Sequence, residues 1–314
     1  MWFLGSIASG WVWTLSDGVA VIEVPAELAR IQSEINGEEG RAFIAALPGR
    51  AERFLEEWGL RRTGPAMHGW TALVLPVVAE DGTRAALKLQ LLDEESEGEA
   101  SALRAWDGSG AVRLLADDPG TGTLLLEWLG QGRSLSDVPD AREATRTLAE
   151  LMARLVDVEA PAGMRSLGDI AAEMLDDVPE AVEALEKEDD RRLLRDCAAA
   201  VREVAGEPGD RLLHWDLHFD NVLASDREPW LAIDPKPLAG DPGFELLPSL
   251  FNRFDPDEVL WRFDLMTEVL GLDRERAKAW TLGRVLQDSL WDVEDGETVL
   301  EGERVQVGRM LLGW

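Results

Sequence analysis

The chain of 314 residues contains no tyrosine, so no phenolic general acid or base can serve its chemistry. It has a single cysteine, Cys197, which excludes intramolecular disulfides and cysteine-built zinc or iron–sulfur sites and fits a reducing compartment. That residue stands in the alanine-rich run Asp196-Cys197-Ala198-Ala199-Ala200, where a small buried hydrophobe is the ordinary reading. Positive charge is scarce: 31 Lys and Arg face 61 Asp and Glu, a formal charge of −30. Such a chain repels phosphate backbones and anionic membrane surfaces, so neither nucleic acid nor a membrane is expected as a partner. No apolar run reaches the roughly 20 residues of a membrane span. The first sixteen residues carry no charged side chain, yet they lack the basic start of a signal peptide and Asp17 soon interrupts them. Residues 1–19 therefore read as an N-terminal extension of uncertain order, and the protein as cytoplasmic. Oligomeric state is not legible.

Hydrophobic residues make up 46% of the chain and no tract is of low complexity, which marks a globular protein. Its length, at roughly 100–200 residues per domain, suits two lobes. Residues 20–128 begin with an amphipathic helical run through Phe43, Ile44, Leu47, Phe54, Leu55 and Trp58. The period then changes: Thr71 to Ala79 and Arg84 to Leu91 are rich in Val and Leu and flank Asp81-Gly82, a strong hairpin signal. A helix over 94–106 and a strand pair over 111–115 and 123–128 complete a small, strand-rich lobe. Residues 129–314 are mostly helical in pattern, as in Leu148, Leu151, Met152 and Leu155 or Leu282, Val285, Leu286 and Leu290. The fold class is α+β, with a small β-rich N-terminal lobe, a connector near 128–133, and a larger helical C-terminal lobe.

One β signal interrupts the helical half, from Leu212 to Asp234, and it holds two of the three histidines. The run His214-Trp215-Asp216-Leu217-His218-Phe219-Asp220-Asn221 leads into Val222 to Ser225, a break at 226–229, and Trp230 to Asp234. A four-residue hairpin loop pairs Ser225 with Trp230 and puts Asn221 opposite Asp234, with Cβ atoms about 4.5–5.5 Å apart. An amide oxygen and a carboxylate so placed suit a hard cation such as Mg²⁺, which takes one or two carboxylates plus substrate phosphates. Asp216 could accept a proton from a hydroxyl brought to that phosphate. His214 is placed to orient the loop. Singly, each of these residues also reads as a turn residue or a satisfied core group.

Together they match H-x-D-x-x-x-x-N followed thirteen residues later by Asp, the phosphoryl-transfer layout of kinases. The segments Ala72 to Val77, Ala105-Trp106-Asp107-Gly108, Ala111 to Leu115, Trp230 to Pro235 and Gly240-Asp241-Pro242-Gly243-Phe244 carry the likeness further. The sequence resembles the aminoglycoside phosphotransferases, and most closely the aminoglycoside/hydroxyurea antibiotic resistance kinases. The resemblance implies a protein-kinase-like two-lobe fold and an ATP- and Mg²⁺-dependent transfer of the γ-phosphate to a hydroxyl of a small molecule, an aminoglycoside such as streptomycin or a related antibiotic. It implies Asp216 as catalytic base, His214 as its loop residue, and Asn221 and Asp234 as magnesium ligands. It also implies a strand lysine paired with a helix glutamate. Lys88, the only lysine before Lys187, lies on the strand face opposite Leu87, Leu89 and Leu91. Glu99 falls at i with Leu103 and Trp106 at i+4 and i+7, an inward stripe on which a carboxylate needs a cation. Glu127, Trp128 and Leu129 are the implied purine connector, with an ordinary buried strand end as the other reading.

A Gly-rich phosphate loop is absent; Thr63 to Trp70 stands in its place, with His68 either a phosphate contact or a turn residue. Asp234-Pro235-Lys236 replaces Asp-Phe-Gly, and Asp241-Pro242, a helix start, follows only seven residues after Asp234. No peptide-docking activation segment fits in that gap, so the acceptor is small. The carboxylate excess favours a cationic one. Asp288, Asp292 and Asp295 recur on one helix face, as cation contacts or as a solvated acidic face. The alternatives are a kinase-fold binding protein without transfer, a kinase of an endogenous metabolite, and a metal hydrolase built on His214, Asp216 and His218.

Overall fold

The computed structural model describes residues 22–130 and 132–314; the extension read at 1–19 lies outside the described residues. Among the described residues two compact units emerge, one holding 22–108 with Val112–Leu129, the other Ser109–Ala111 with 130 and 132–314.

The smaller unit opens with helices α1 (Ala26–Ile35) and α2 (Gly37–Glu57). Gly40 lets them meet: a Cβ there would lie 1.9 Å from the Gln32 carbonyl oxygen. Strands β1 (Leu60–Arg62), β2 (Met67–His68), β3 (Ala72–Ala79) and β4 (Arg84–Gln90), helix α3 (Glu99–Trp106), and strands β5 (Leu114–Asp118) and β6 (Thr123–Glu127) follow. They form an antiparallel sheet ordered β1-β3-β4-β6-β5, with β2 also on β3. The expected hairpin turns at Asp81-Gly82, where Asp81 accepts from the Thr83 amide at 2.8 Å and Gly82 takes φ +88°. Leu73, Leu75, Val77, Leu87 and Leu89 pack on Leu28, Leu47 and Phe54, which leaves Lys88 and Gln90 on the other face. Two boundaries differ from the sequence reading. The helix starts at Glu99 and not near 94, because the Asp93 carboxylate accepts from the amides of Glu95 and Ser96 and holds a turn there. The strand expected at 111–115 runs over Leu114–Asp118, since Ala111 pairs instead with Ala232.

The larger unit contains α4 (Ala141–Leu155), α5 (Leu167–Ala184), α6 (Glu188–Val204), β7 (Arg211–Leu213), β8 (Val222–Ala224), β9 (Trp230–Ala232), β10 (Leu238–Gly240), α7 (Leu247–Phe251), α8 (Val259–Leu270), α9 (Arg274–Glu294) and α10 (Glu303–Leu312). Asp140 and Ser166 cap α4 and α5 with their side-chain oxygens, as their residue types favour. Cys197 is buried in α6, where burial pushes its thiol pKa up and leaves it a packing residue. The hairpin β8–β9 corrects the expected register by one residue: Ala224 pairs with Trp230, so Asn221 falls opposite Ile233 and not Asp234. Ser225 is drawn out of the ladder because its hydroxyl accepts from the Arg227 amide at 3.1 Å, making a five-residue loop.

Of the acidic row, Asp295 is exposed just past the end of α9, whereas Asp288 and Asp292 are drawn into ion pairs. Asp288 is 3% exposed and lies 3.5 Å from Arg284 and 3.2 Å from Arg304 of α10, which also reaches Asp292 at 3.5 Å. Asp288 and Asp292 thus meet arginines of their own helix and of α10, a circumstance that periodicity cannot report.

Candidate active site

The segment between β7 and β8 is the chemically dense part of the larger unit. His214 is fully buried and its Nε2 donates to the Ile233 carbonyl at 2.9 Å, while its own carbonyl accepts from the Lys236 amide. Burial pushes its pKa down to about 3, so the ring is neutral and orients the loop without exchanging protons.

Trp215 is in the left-handed region, φ +66°, a conformation that costs a non-glycine residue about 1–3 kcal/mol and needs external bracing. One brace is Glu245, whose two carboxylate oxygens accept from the amides of His214 (3.2 Å) and Trp215 (2.8 Å). Glu245 sits in the short helical turn Pro242–Glu245 that Asp241 caps, and burial pushes its pKa up to about 8. Sequence reasoning missed it; the available signal was a lone carboxylate in the apolar run Phe244-Glu245-Leu246-Leu247, which has to be satisfied from within.

Asp216 follows, its side chain 36% exposed. Asn221 donates its amide to both the Asp216 carbonyl (2.9 Å) and carboxylate (3.2 Å). Partial burial raises the Asp216 pKa, with Asp234 adding to the rise and His218, Arg284 and Lys236 opposing it. His218 Nε2 lies 3.9 Å from Asp216 and its Nδ1 3.6 Å from Asp220. Against the opposing pull of burial, these carboxylates hold His218 above its ordinary value. Asp234 leaves β9 at φ +58°, a conformation that Asp tolerates better than most residues. The charge of Asp234 is felt at His214, Asp216 and His218, so the turn keeps this carboxylate in the cluster despite the register shift. Below the loop, Phe219 is buried under the guanidinium groups of Arg253 and Arg262, at 5.5 and 5.6 Å from its ring centroid. Asp220 accepts from Ser136 and from Asn252, and the His218 contact foremost holds its carboxyl well below the usual range.

In the smaller unit the expected pair is present. Lys88 Nζ donates to both oxygens of Glu99, at 2.7 and 2.8 Å, and Gln90 adds a bond of 2.7 Å; both partners of the ion pair are buried. The connector residues have prior commitments. The Glu127 amide donates to the Arg113 carbonyl and its carboxylate accepts from the Arg113 amide at 2.8 Å. Trp128 lies under Arg84, 5.2 Å from ring centroid to guanidinium, and its buried indole N–H has no partner among the described residues. Leu129 is half-buried at the end of the unit. His68 is exposed on β2, its Nδ1 2.9 Å from the Gly69 carbonyl.

An all-oxygen pair, Asn221 and Asp234, suits Mg²⁺: with its amide nitrogen committed to Asp216, Asn221 keeps its oxygen for a cation. No group of three or more His, Cys, Asp or Glu able to hold a metal occurs among the described residues. The pairing of a sheet-borne Lys–Glu bridge with an His-x-Asp loop defines a small-molecule kinase of protein-kinase-like fold. Consistent with this fold, a choline/ethanolamine kinase family protein from Mesorhizobium loti superposes with TM-score 0.56 at 19% identity, covering 88% of this chain and 92% of that one.

Residues 57–296 match the aminoglycoside/hydroxyurea antibiotic resistance kinases, and the chain belongs to that family. A hydroxyurea phosphotransferase from Kitasatospora aureofaciens is 65% identical over 94% of this chain and 87% of its own length. A streptomycin 6-kinase from Streptomyces glaucescens is 54% identical, with 93% and 98% covered. This chain is accordingly a phosphotransferase acting on a small-molecule hydroxyl.

Proposed function

We propose that the chain transfers the γ-phosphate of ATP to the hydroxyl of hydroxyurea, with Asp216 as the catalytic base. The reading rests on Asn221, whose amide ties the base to a cation-binding oxygen within one hydrogen-bonded unit. Asp216 accepts the hydroxyl proton as the acceptor oxygen bonds to phosphorus and the bond to the departing ADP oxygen breaks. Asn221 and Asp234 hold Mg²⁺, which when bound neutralises charge on the β- and γ-phosphates. Lys88, fixed by Glu99, takes the α- and β-phosphates, and Glu127, Trp128 and Leu129 take the purine. His214 keeps the loop in register. Domain roles follow: residues 20–128 serve the nucleotide and residues 129–314 catalysis and the acceptor. A cytoplasmic location fits, since no described helix is long and apolar enough to cross a membrane.

Two observations favour hydroxyurea. The relative at 65% identity carries that activity in its name, and the α9 carboxylates best suited to a cationic acceptor are already paired with arginines. Streptomycin, a cationic acceptor in keeping with the carboxylate excess, is the second reading, favoured by the relative at 54%. The test is mass spectrometry of hydroxyurea and streptomycin after incubation with the protein, Mg²⁺ and ATP, with Asp216→Asn alongside. One phosphoryl group gained by hydroxyurea alone, and a fall of about 10³-fold in the variant, is the expected result. Gain on streptomycin alone transfers the assignment to the second reading, and wild-type turnover by Asp216→Asn removes Asp216 from the mechanism.

A further inference from the structure

Glu245 secures the amide of Trp215, but an amide bond does not fix the side chain of a bulky residue held at φ +66°. The indole is 1% exposed, and its N–H finds no partner among the described residues, so the ring is held through its π surface. Two guanidinium groups lie over it, Arg165 at 5.0 Å and Arg284 at 4.5 Å from the centroid, and the Trp291 ring approaches edge-on at 6.1 Å. Arg284 is the better anchored of the two. It projects from α9, donates to Gln287 at 2.6 Å, and lies 3.5 Å from buried Asp288, which Arg304 of α10 holds from its other oxygen. The same guanidinium is 5.3 Å from the Trp291 ring and 6.0 Å from that of Phe244, the neighbour of Glu245. It therefore touches Trp215 and the turn that carries its amide brace.

We propose that Arg284 is a positioning residue for the transfer: by lying over Trp215 it holds the left-handed turn that sets the direction of the next side chain, Asp216. This rests on the reading of Asp216 as the base. A planar, weakly hydrated guanidinium suits the role, because it lies flat on an aromatic face in a buried place where an ammonium does not. Without it, Trp215 is free to relax toward an ordinary φ and Asp216 swings with it, and misplacement by an ångström costs a reaction about 10²-fold.

The experiment uses the full chain with Mg²⁺-ATP and whichever of hydroxyurea and streptomycin the wild type phosphorylates. Arg284→Met, Arg284→Lys and Asp216→Asn are compared for kcat, KM for ATP, and thermal midpoint. The expected result is a fall in kcat of about 30-fold in Arg284→Met with KM for ATP within about twofold, and a smaller fall in Arg284→Lys. Unchanged kcat in a folded Arg284→Met protein overturns the proposal. So does a parallel collapse of kcat, nucleotide KM and thermal midpoint in both variants, or failure of both to fold, since either outcome means a purely structural role. Full activity in Asp216→Asn instead sinks the base assignment, whereas an inactive Asp216→Asn beside fully active Arg284 variants sinks the positioning role alone.

Discussion

The two units put charged groups in place by opposite means. In the smaller one, Lys88 and Glu99 sit on regular elements, a central strand and the first turn of a helix, at ordinary backbone angles. In the larger one, His214, Asp216 and Asp234 lie on irregular chain and Asn221 closes the short helical turn Phe219–Asn221, with left-handed residues at Trp215 and Asp234. Regular elements need only one good ion pair to finish the job. Irregular chain needs bracing from elsewhere, and Glu245, Asn252, Arg253 and Arg262 provide it. A binding group can be carried on periodic structure, whereas a cluster converging on one reacting atom requires turns that periodic structure does not offer.

Substitutions that break one brace in each unit test this contrast. The largest effect is expected at Glu99→Ala, which leaves the Lys88 ammonium buried without its carboxylate and should lower stability by about 3–5 kcal/mol in chemical denaturation. Adding Lys88→Met should recover much of that stability and none of the activity. A double variant no more stable than Glu99→Ala would show that the pair is not the unit's electrostatic weak point.

In the larger unit Glu245→Gln should cost about 1–3 kcal/mol, because the amide offers one acceptor oxygen where two backbone N–H groups need one each. It should also change the pH profile. Burial raises the folded Glu245 pKa from 4.5 to about 8, so the folded state binds a proton that the unfolded state has released. The wild type therefore loses this contribution as pH rises from about 4.5 through 8, and Glu245→Gln should flatten that part of the curve of thermal midpoint against pH. An unchanged slope would assign the dependence to other groups. The smallest effect is expected at Gly82→Ala, where φ is +88° and nothing crowds a Cβ. Backbone strain alone predicts a loss of about 1 kcal/mol and full activity, measured by thermal melting and steady-state assay.

Legibility in the sequence follows the same division. Alternation put Lys88 opposite the leucines, helical spacing turned Glu99 inward, and Asp81-Gly82 marked the hairpin; each rests on a period or a turn preference. The motif spacing also brought Asp216 and Asn221 together. The β8–β9 register was missed by one residue because a Ser at a strand end serves equally as a ladder residue or a turn acceptor. The two readings of the acidic row could not be separated in the sequence because the arginine partners of Asp288 and Asp292 include one from another helix, and spacing within one helix is blind to that. The braces at Glu245, Arg262 and Arg284 are contacts between segments far apart in the chain, so no local pattern announces them.

The Arg304–Asp288–Arg284 chain of charges has a bearing on biosynthesis. The ribosome makes the catalytic loop, then α9, and only afterwards the helix that carries Arg304. Until α10 emerges, Asp288 lacks one of its two arginines and the arm over Trp215 lacks its full support. The groups assigned to phosphoryl transfer thus precede, along the chain, the last member of the ion network that supports Trp215, and that network closes only once α10 has been made.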